Sequence, residues 1–356
     1  MIQQSSQRAC SRLIPRADQQ RGVALLAVLL VLVVVTSLLV QLQQQTRQDL
    51  ALMEIQALQQ QGWGYLLGAE ALGRQVLTDG RLREQPRWWA TLRGEPLAYP
   101  VDEGLLSLQV KDLRTCMNLN HLAGITSDAA SADLPELLPW RLYLEQLRQQ
   151  EAWQLDWSPE VFLDRVRDWV DADSQVLEWG AETGQYLMAE PARVAANQPL
   201  ADLSELNLIW PASRERLAQL PASLCQLPSN ALRLNVNNLA EADLFLLWSV
   251  MEGQVSWVEL QSWWSERPDV GYTSLDDFWT ALNTAAAQDP QWKSRVSGRL
   301  MLVSDFYRLQ IEMQLHDIDL VFEADLYLSP QAETRIYARR WGPVDGRQSL
   351  VDQVVE

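Results

Sequence analysis

The chain has 356 residues, enough for about two domains, and its 46 acidic against 29 basic residues give a formal net charge of −17. Residues 1–22 hold four arginines and one aspartate, a net of +3, so the remainder carries −17 − 3 = −20. So acidic a surface excludes nucleic acid as a partner, because phosphates attract lysine and arginine, but it is compatible with divalent cations.

The chain begins with a basic leader, residues 1–22, followed by the apolar stretch VALLAVLLVLVVVTSLLV from Val23 to Val40. Eighteen helical residues span roughly 27 Å, close to the hydrocarbon core of about 30 Å of a bilayer. No proline follows before Pro86, so the pattern predicts one long helix over residues 23–80 that crosses the membrane in its first half. Because lysine and arginine stay on the cytoplasmic side, the acidic remainder is expected to be exported.

After this helix, the residue pattern predicts a sheet that is interrupted by a helical region. Residues 81–100 contain several prolines and glycines and are expected to form a loop, whereas Leu105–Leu113 has the β-formers of a strand. Three more strands are expected near the end of the chain, over residues 300–315, 317–328 and 333–342. Helical patterns between them cover residues 139–151, 159–170, 203–208, 214–220, 240–251, 255–266 and 275–286.

An antiparallel sheet would pair the terminal strands with the early strand, which makes the helical region an insertion. We therefore predict an α+β fold in which the long helix packs on a sheet built from residues 81–118 and 296–356. Residues 119–295 would form a large, all-helical inserted domain. Tryptophans are frequent in this domain and are expected in its core, at positions 140, 153, 157, 169, 179, 248, 257, 263 and 264.

The sequence contains three cysteines, of which Cys10 lies in the leader. Cys116 and Cys225 are an even number in an exported, oxidising environment, and a disulfide between them is predicted. A bridge over so long a loop would contribute about 4–5 kcal/mol in the chain-entropy model. Two buried free thiols are the alternative.

The most informative polar stretch contains a series of carboxylates: Asp164, Asp168 and Asp171 on one predicted helix face, then Asp173, Glu178 and Glu182 in a loop. Carboxylates this close repel one another, and a hard cation such as calcium would remove the repulsion. Asp171, Asp173 and Glu182 match positions 1, 3 and 12 of an EF-hand loop, but Val176 replaces the glycine at position 6, which argues against a true EF-hand. Two interpretations remain open, a calcium site and a solvated acidic helix end paired with Arg165 and Arg167.

The sequence lacks the common catalytic motifs. It has only two histidines, His121 and His316, which leaves no HExxH pair, and it has no G-x-S-x-G elbow, P-loop or dinucleotide-binding glycine motif. We therefore expect a protein that is not an enzyme, and we expect both histidines to be surface or capping residues. A membrane-tethered periplasmic hydrolase that uses paired carboxylates is the alternative.

Motifs along nearly the whole chain resemble, in the same order, those of the type II secretion minor pseudopilin K family. They are Arg21-Gly22, Gly68-Ala-Glu70, Asn118-Leu-Asn120, Asp168-Trp-Val-Asp-Ala-Asp173, Gly180-Ala-Glu182, Tyr186, Ala196-Asn197-Gln-Pro199-Leu200, Ser204-Glu-Leu206 and Leu234-Asn-Val-Asn237. A leader that ends in Arg-Gly before an apolar helix is similar to those that prepilin peptidase cuts, and the implied cut separates Gly22 from Val23. Most pilins have glutamate at the fifth mature position, where this chain has Ala27, and the absence of that charge suits a filament tip. A type IV pilus minor pilin, which usually keeps this glutamate, is a second alternative.

The resemblance implies a pseudopilin fold and a single-pass protein of the bacterial inner membrane, with its large C-terminal domain in the periplasm. It implies that the protein caps the periplasmic pseudopilus and helps to nucleate it, for export of folded proteins across the outer membrane. The implied partners are minor pseudopilins I, J and H, the major pseudopilin G and prepilin peptidase, and methylation is an implied modification. The resemblance also implies bound calcium, with Asp171, Asp173 and Glu182 as preferred ligands, followed by Asp168 and Glu178.

Overall fold

The structure is a computed structural model of the whole chain. It describes residues 18–79, 96–102, 104–126, 131, 134–149, 157–210, 220–315 and 318–342. The chain divides into two compact units, Met1–Gly64 and Tyr65–Glu356.

The described part of the first unit is the beginning of one long helix, α1 (Asp18–Thr78). Its segment Ala24–Leu50 has a mean hydropathy of 2.9 and is exposed throughout, and by length and composition it can cross a bilayer. The predicted helix is confirmed, but it begins at Asp18 and not at Val23. The backbone on both sides of the predicted cleavage point, after Gly22, is therefore helical.

The second unit contains the end of α1, a sheet and a series of short helices. Its other described α-helices are α2 (Leu138–Gln149), α3 (Pro159–Val170), α4 (Thr183–Tyr186), α5 (Leu206–Ile209), α6 (Leu244–Val250), α7 (Trp257–Glu266), α8 (Leu275–Leu282) and α9 (Pro290–Ser297). Its strands are β1 (Leu97–Val101), β2 (Gly104–Asp112), β3 (Met117–Asn118), β4 (Leu224–Cys225), β5 (Leu234–Asn235), β6 (Leu300–Met301), β7 (Phe306–Leu315), β8 (Ile318–Leu328) and β9 (Thr334–Gly342). Short 3₁₀ helices cover Leu119–Gly124, Pro135–Leu137, Leu203–Glu205, Glu241–Asp243 and Ala285–Gln288.

Five strands form an antiparallel sheet in the order β1-β2-β7-β8-β9, and the end of α1 packs on one face of it. Alternate residues of β2, β7 and β8 are apolar and buried, as the two-residue period of a strand requires. On α1, Leu66 and Leu77 are fully buried against them. Gly73 lies so close to the sheet that a Cβ atom there would be 2.8 Å from the Leu309 side chain. The predicted α+β architecture is thus confirmed.

Two strand predictions are wrong. Residues 97–100, expected to be a loop, belong to the edge strand β1, which pairs with β2 over its whole length. Residues 300–315, expected to be one strand, are divided because residues 302–305 leave the extended ladder. The first part, β6, pairs in parallel with β5, whereas β7 joins the main sheet.

The helical insertion leaves the sheet after β2 and returns to it before β7, as predicted. The pattern over residues 159–170 coincides with α3, whereas residues 214–219 lie outside the described residues. The insertion is not all-helical, because the short parallel pairs β3–β4 and β5–β6 close its ends. Helix α9, which Asp289 caps through its side chain, was missed by the sequence patterns.

A continuous cluster of buried apolar side chains forms the core of the insertion. Trp140, Trp169 and Trp263 are buried in it, as expected. The expectation is wrong for Trp179 and Trp257, which are 53% and 39% exposed. Residue 153 is not described.

The two Asn-x-Asn motifs occupy equivalent positions at the ends of β3 and β5. In each, the first side chain accepts a hydrogen bond from the backbone N–H of the second, 3.2 Å from Asn120 to Asn118 and 3.0 Å from Asn237 to Asn235. This local turn directs the chain out of the strand and brings the second asparagine into the interior, where Asn120 and Asn237 are each 1% exposed.

Cys116, which directly precedes β3, and Cys225, the last residue of β4, form a disulfide with a Cα–Cα distance of 5.9 Å. The alternative of two free thiols does not describe this structure. Because the bridge connects residues 109 positions apart, it ties the entry of the insertion to its middle.

His121 is not a surface residue, which corrects the expectation. Its Nδ1 accepts a hydrogen bond of 3.1 Å from the indole Nε1 of Trp140, and its ring is half-buried. Burial, helped by the charge of Arg299, lowers the pKa of His121 to about 4. The neutral ring is therefore the form that acts as acceptor. His316 lies outside the described residues.

Candidate functional site

The acidic stretch begins on helix α3. The Ser158 hydroxyl caps this helix by accepting a hydrogen bond from the Val161 N–H at 3.4 Å, and a proline occupies the first turn. Asp164 and Asp168 lie on the buried face of α3 and are 0% exposed. The helix ends at Val170, so Asp171 is its C-terminal capping residue and is not part of the same regular helix face.

Asp164 organises the loop that follows α3. Its Oδ1 accepts a hydrogen bond from the Ser131 N–H at 3.1 Å, and its Oδ2 accepts one from the Trp179 N–H at 3.2 Å. The Arg167 guanidinium lies 3.8 Å from the same carboxylate and donates to the Ser131 hydroxyl. Because both charged groups are buried, a solvated acidic helix end is the wrong description of this pair.

Asp168 also holds the loop in place. Its carboxylate accepts hydrogen bonds from the Leu177 N–H at 3.1 and 3.4 Å. Gly180 approaches so closely that a Cβ atom there would lie 1.9 Å from Asp168 Oδ2, which only glycine avoids. Burial, together with the negative charges of Glu182 and Asp171, raises the pKa of Asp168 to about 7, although the Leu177 hydrogen bond opposes this.

Three of the five predicted ligands come together in this loop. Asp171, Asp173 and Glu182 each place a carboxylate oxygen within 4.8 Å of the other two. Glu182 is buried and caps α4, with its Oε2 accepting a hydrogen bond from the Thr183 N–H at 3.3 Å. Its Oε1 is buried and has no hydrogen-bond partner among the described residues. Burial, followed by the charges of Asp171 and Asp173, raises the pKa of Glu182.

Asn197, which the sequence analysis did not assign to this site, reaches the same loop. Its Nδ2 donates to the Asp173 carbonyl oxygen at 2.7 Å, and its Oδ1 is a second buried acceptor for which the described residues supply no donor. A left-handed backbone, with φ of 47°, allows this reach. In the sequence, the signal that could have indicated Asn197 was its position in the Ala196-Asn197 motif.

The donor set fits a hard divalent cation. It consists of three carboxylates, with one buried oxygen that lacks a donor among the described residues, and the charges of Asp171 and Asp173 help to raise the pKa of Glu182. Asp171, Asp173 and Glu182 are the residues that would hold such an ion. The structure does not bring Asp168 and Glu178 into this group: the first binds the Leu177 N–H, and the second is exposed.

The end of the long helix packed on an antiparallel sheet, with an inserted helical domain, is a pseudopilin fold with an enlarged head. A crystal structure of the GspK-GspI-GspJ complex from the type 2 secretion system of enterotoxigenic Escherichia coli contains a chain with the same fold. The two superpose with a TM-score of 0.67 at 22% identity, over 80% of this chain and 96% of that chain.

Sequence comparisons then give the family. A family model for type II secretion system protein K matches residues 115–229. Type II secretion system protein K of Pseudomonas aeruginosa is 30% identical over 334 residues, which are 91% of this chain and 93% of that protein. The protein of the same name from Pectobacterium carotovorum is 28% identical over 329 residues, 91% of this chain and 97% of the relative. The chain belongs to the type II secretion system protein K family.

Proposed function

We propose that this protein is a minor pseudopilin that caps the pseudopilus of the type II secretion system and helps to nucleate it, for export of folded proteins across the outer membrane. The observation that carries the proposal is the pseudopilin fold with a helical domain inserted between the adjacent strands β2 and β7, in a member of the protein K family. Such an insertion enlarges the head beyond what the helix and sheet require. A head of this size leaves no room for a like subunit above it.

The N-terminal sequence supports a position at the tip. Ala27 occupies the fifth mature position if the chain is cut after Gly22. A charged side chain in a membrane or in an apolar filament core needs a partner of opposite charge. A subunit without that charge cannot form the charge pair with a subunit ahead of it, but further subunits can still be added behind it.

We propose that the first partners are minor pseudopilins I and J, because the solved structure with this fold is a GspK-GspI-GspJ complex. Minor pseudopilin H and the major pseudopilin G would follow in assembly. The test is to co-express the full chain with I and J of the same organism and to purify it in detergent. Co-purification of all three is expected, and recovery of this chain without both would contradict the proposal.

The leader predicts processing and orientation. We propose that segment Ala24–Leu50 anchors the precursor in the inner membrane with the head in the periplasm, and that prepilin peptidase cuts between Gly22 and Val23. In cells, Gly22→Ala should leave an uncleaved, larger precursor and stop secretion. Gly64→Ala is the matched control, because a Cβ atom there meets nothing within 4 Å. Normal processing of Gly22→Ala would refute the cleavage site.

We further propose that calcium binds to Asp171, Asp173 and Glu182. Support comes from the convergence of their oxygens within 4.8 Å and from the buried Glu182 Oε1 that accepts no hydrogen bond from the described residues. The ion would offset two of the three negative charges and hold the loop against α3 and α4. The ion would have a structural role and would take no part in catalysis.

The calcium proposal is tested by thermal unfolding of the full chain in detergent, after chelation and again after calcium addition. A ligand at about 100 times its Kd stabilises a protein by about 2.7 kcal/mol, which should raise the Tm by several degrees. Glu182→Gln should abolish the shift, whereas Glu178→Gln, an exposed carboxylate outside the group, should keep it. An equal shift in both variants, or none in the unmodified chain, would overturn the assignment.

A further inference from the structure

A pocket of about 390 Å³ lies beside α3, α4 and α5, and Gly180 and Ala181 of the acidic loop form part of its lining. One wall is aromatic, because the rings of Trp157 and Trp210 stack with their centroids 4.2 Å apart. Arg165, Tyr186 and Arg193 also line it. Its volume falls in the range of small-ligand sites, and its walls combine apolar surface with a few polar groups.

Four donor atoms of the lining residues lack an acceptor among the described residues, although Nη1 of Arg193 donates to the Pro191 carbonyl oxygen at 3.2 Å. Arg165 Nε, Tyr186 Oη, Arg193 Nε and Trp210 Nε1 are all buried, and the described part of the chain gives none of them a hydrogen-bond partner. Native structures satisfy nearly all buried donors, so four in one pocket point to an acceptor that is not part of the fold.

The charges in the pocket favour an anion. The guanidinium groups of Arg165 and Arg193 both line the pocket, and that of Arg193 lies 5.3 Å from the centre of the Tyr186 ring. Arginine binds planar oxyanions through paired N–H donors, as a carboxylate requires. The net charge of −17 repels polyanions, which disfavours nucleic acid and anionic lipid surfaces.

We propose that this pocket binds a single carboxylate attached to an apolar body. The arginines, the phenol and the indole N–H would hold the carboxylate, and the stacked tryptophans would cover the apolar part. Two sources share this chemistry, a small organic acid and the carboxyl end of a polypeptide. The proposal does not depend on the calcium site or on the position of the protein in the pseudopilus.

The test is calorimetric titration of the full chain, in an uncharged detergent, with N-acetyl-L-phenylalanine and with its neutral amide. The acid should bind saturably and the amide at least about tenfold more weakly, because a hydrogen bond to a charged group is lost. A peptide that ends in phenylalanine with a free carboxyl group distinguishes the sources: binding as tight as the small acid indicates a polypeptide end, and weaker binding indicates a small ligand. Equal binding of acid and amide, or no binding of any probe, overturns the proposal.

Variants show whether the pocket is the site. Arg165→Gln and Arg193→Gln should each weaken acid binding about tenfold or more, whereas Arg335→Gln, which removes an exposed arginine of β9, should leave it within about twofold. Tyr186→Phe is the variant that separates loss of binding from misfolding. It removes only a hydroxyl group, and that hydroxyl makes no hydrogen bond with a described residue. It should weaken binding without lowering the Tm. Unchanged acid binding in all three pocket variants refutes the site.

Discussion

The two Asn-x-Asn motifs yield the sharpest stability prediction, and Asn120→Ala is the perturbation that tests it. Asn120 is 1% exposed and connects two segments that are distant in sequence. Its Nδ2 donates to the Leu200 and Leu227 carbonyl oxygens at 2.9 and 3.0 Å, and its Oδ1 accepts from the Leu200 N–H at 2.7 Å. One side chain thus satisfies three buried backbone groups.

Alanine at position 120 would leave those three backbone groups without partners. A buried polar group without a hydrogen bond costs about 1–3 kcal/mol, so three of them give an expected loss of unfolding free energy of about 3–9 kcal/mol. A water molecule entering the space left by the amide would move the loss toward the lower limit. At about 2 °C per kcal/mol for a protein of this size, the loss corresponds to a Tm lower by roughly 6–18 °C.

The assay is thermal unfolding of the full chain in detergent, followed by near-ultraviolet circular dichroism of the tryptophans. Asn237→Ala should behave alike, because Asn237 makes the same three kinds of bond, to both backbone groups of Tyr272 and to the Leu302 carbonyl oxygen. Asn207→Ala is the matched control, because within the described residues the Asn207 amide bonds only the Ser204 carbonyl oxygen, one turn away. If Asn120→Ala and the control lower the Tm equally, the reasoning is wrong.

Three further predictions concern stability, each measured by equilibrium unfolding. The pKa of His121 is about 4 in the folded protein and 6.5 ordinarily, so the unfolded chain binds this proton at a higher pH than the folded chain does. The free energy of unfolding should therefore fall by up to about 3 kcal/mol as the pH drops from 6.5 to 4, and His121→Gln should remove this fall. Glu70→Ala should cost about 1–2 kcal/mol, because buried Glu70 makes two hydrogen bonds with the half-exposed Arg339. Gly68→Ala, with open space around it, should stabilise α1 by about 0.5–1 kcal/mol, whereas Gly73→Ala should destabilise through its 2.8 Å contact with the sheet.

Periodic patterns in the sequence were sufficient to predict the helices and strands in which buried side chains recur at regular intervals. The helix over residues 159–170 was predicted to the residue, because Ser158, Pro159 and a spaced apolar face all mark it. The strand near Leu105–Leu113 was found because its alternate side chains face the core. Strand β1 was missed, since it is an exposed edge strand that contains Pro100 and has no alternating burial.

The sequence predicted which residue types form the candidate site, but it predicted their arrangement in space only partly. The spacing selected Asp171, Asp173 and Glu182, which do converge. It could not show that Asp168 lies on the inner side of α3, where its carboxylate binds a backbone N–H of the loop. Nor could it include Asn197, since a residue 15 positions after Glu182 reaches the site only through the fold of the loop. Side chains that form hydrogen bonds with a distant backbone leave no periodic signal.

The inserted domain is fastened to the sheet by buried polar groups, which bears on how a head of this kind could work. Asp112, at the end of β2, accepts hydrogen bonds from Ser304, Asn235 and Asn238, so that one carboxylate joins the sheet to the end of β5 and to the segments that follow β5 and β6. Hydrogen bonds, unlike apolar contacts, fix direction as well as distance. The insertion is thus held in one orientation on the sheet. A subunit that ends a filament needs a head held in this way, because a freely rotating domain could neither exclude a further subunit nor present a constant surface.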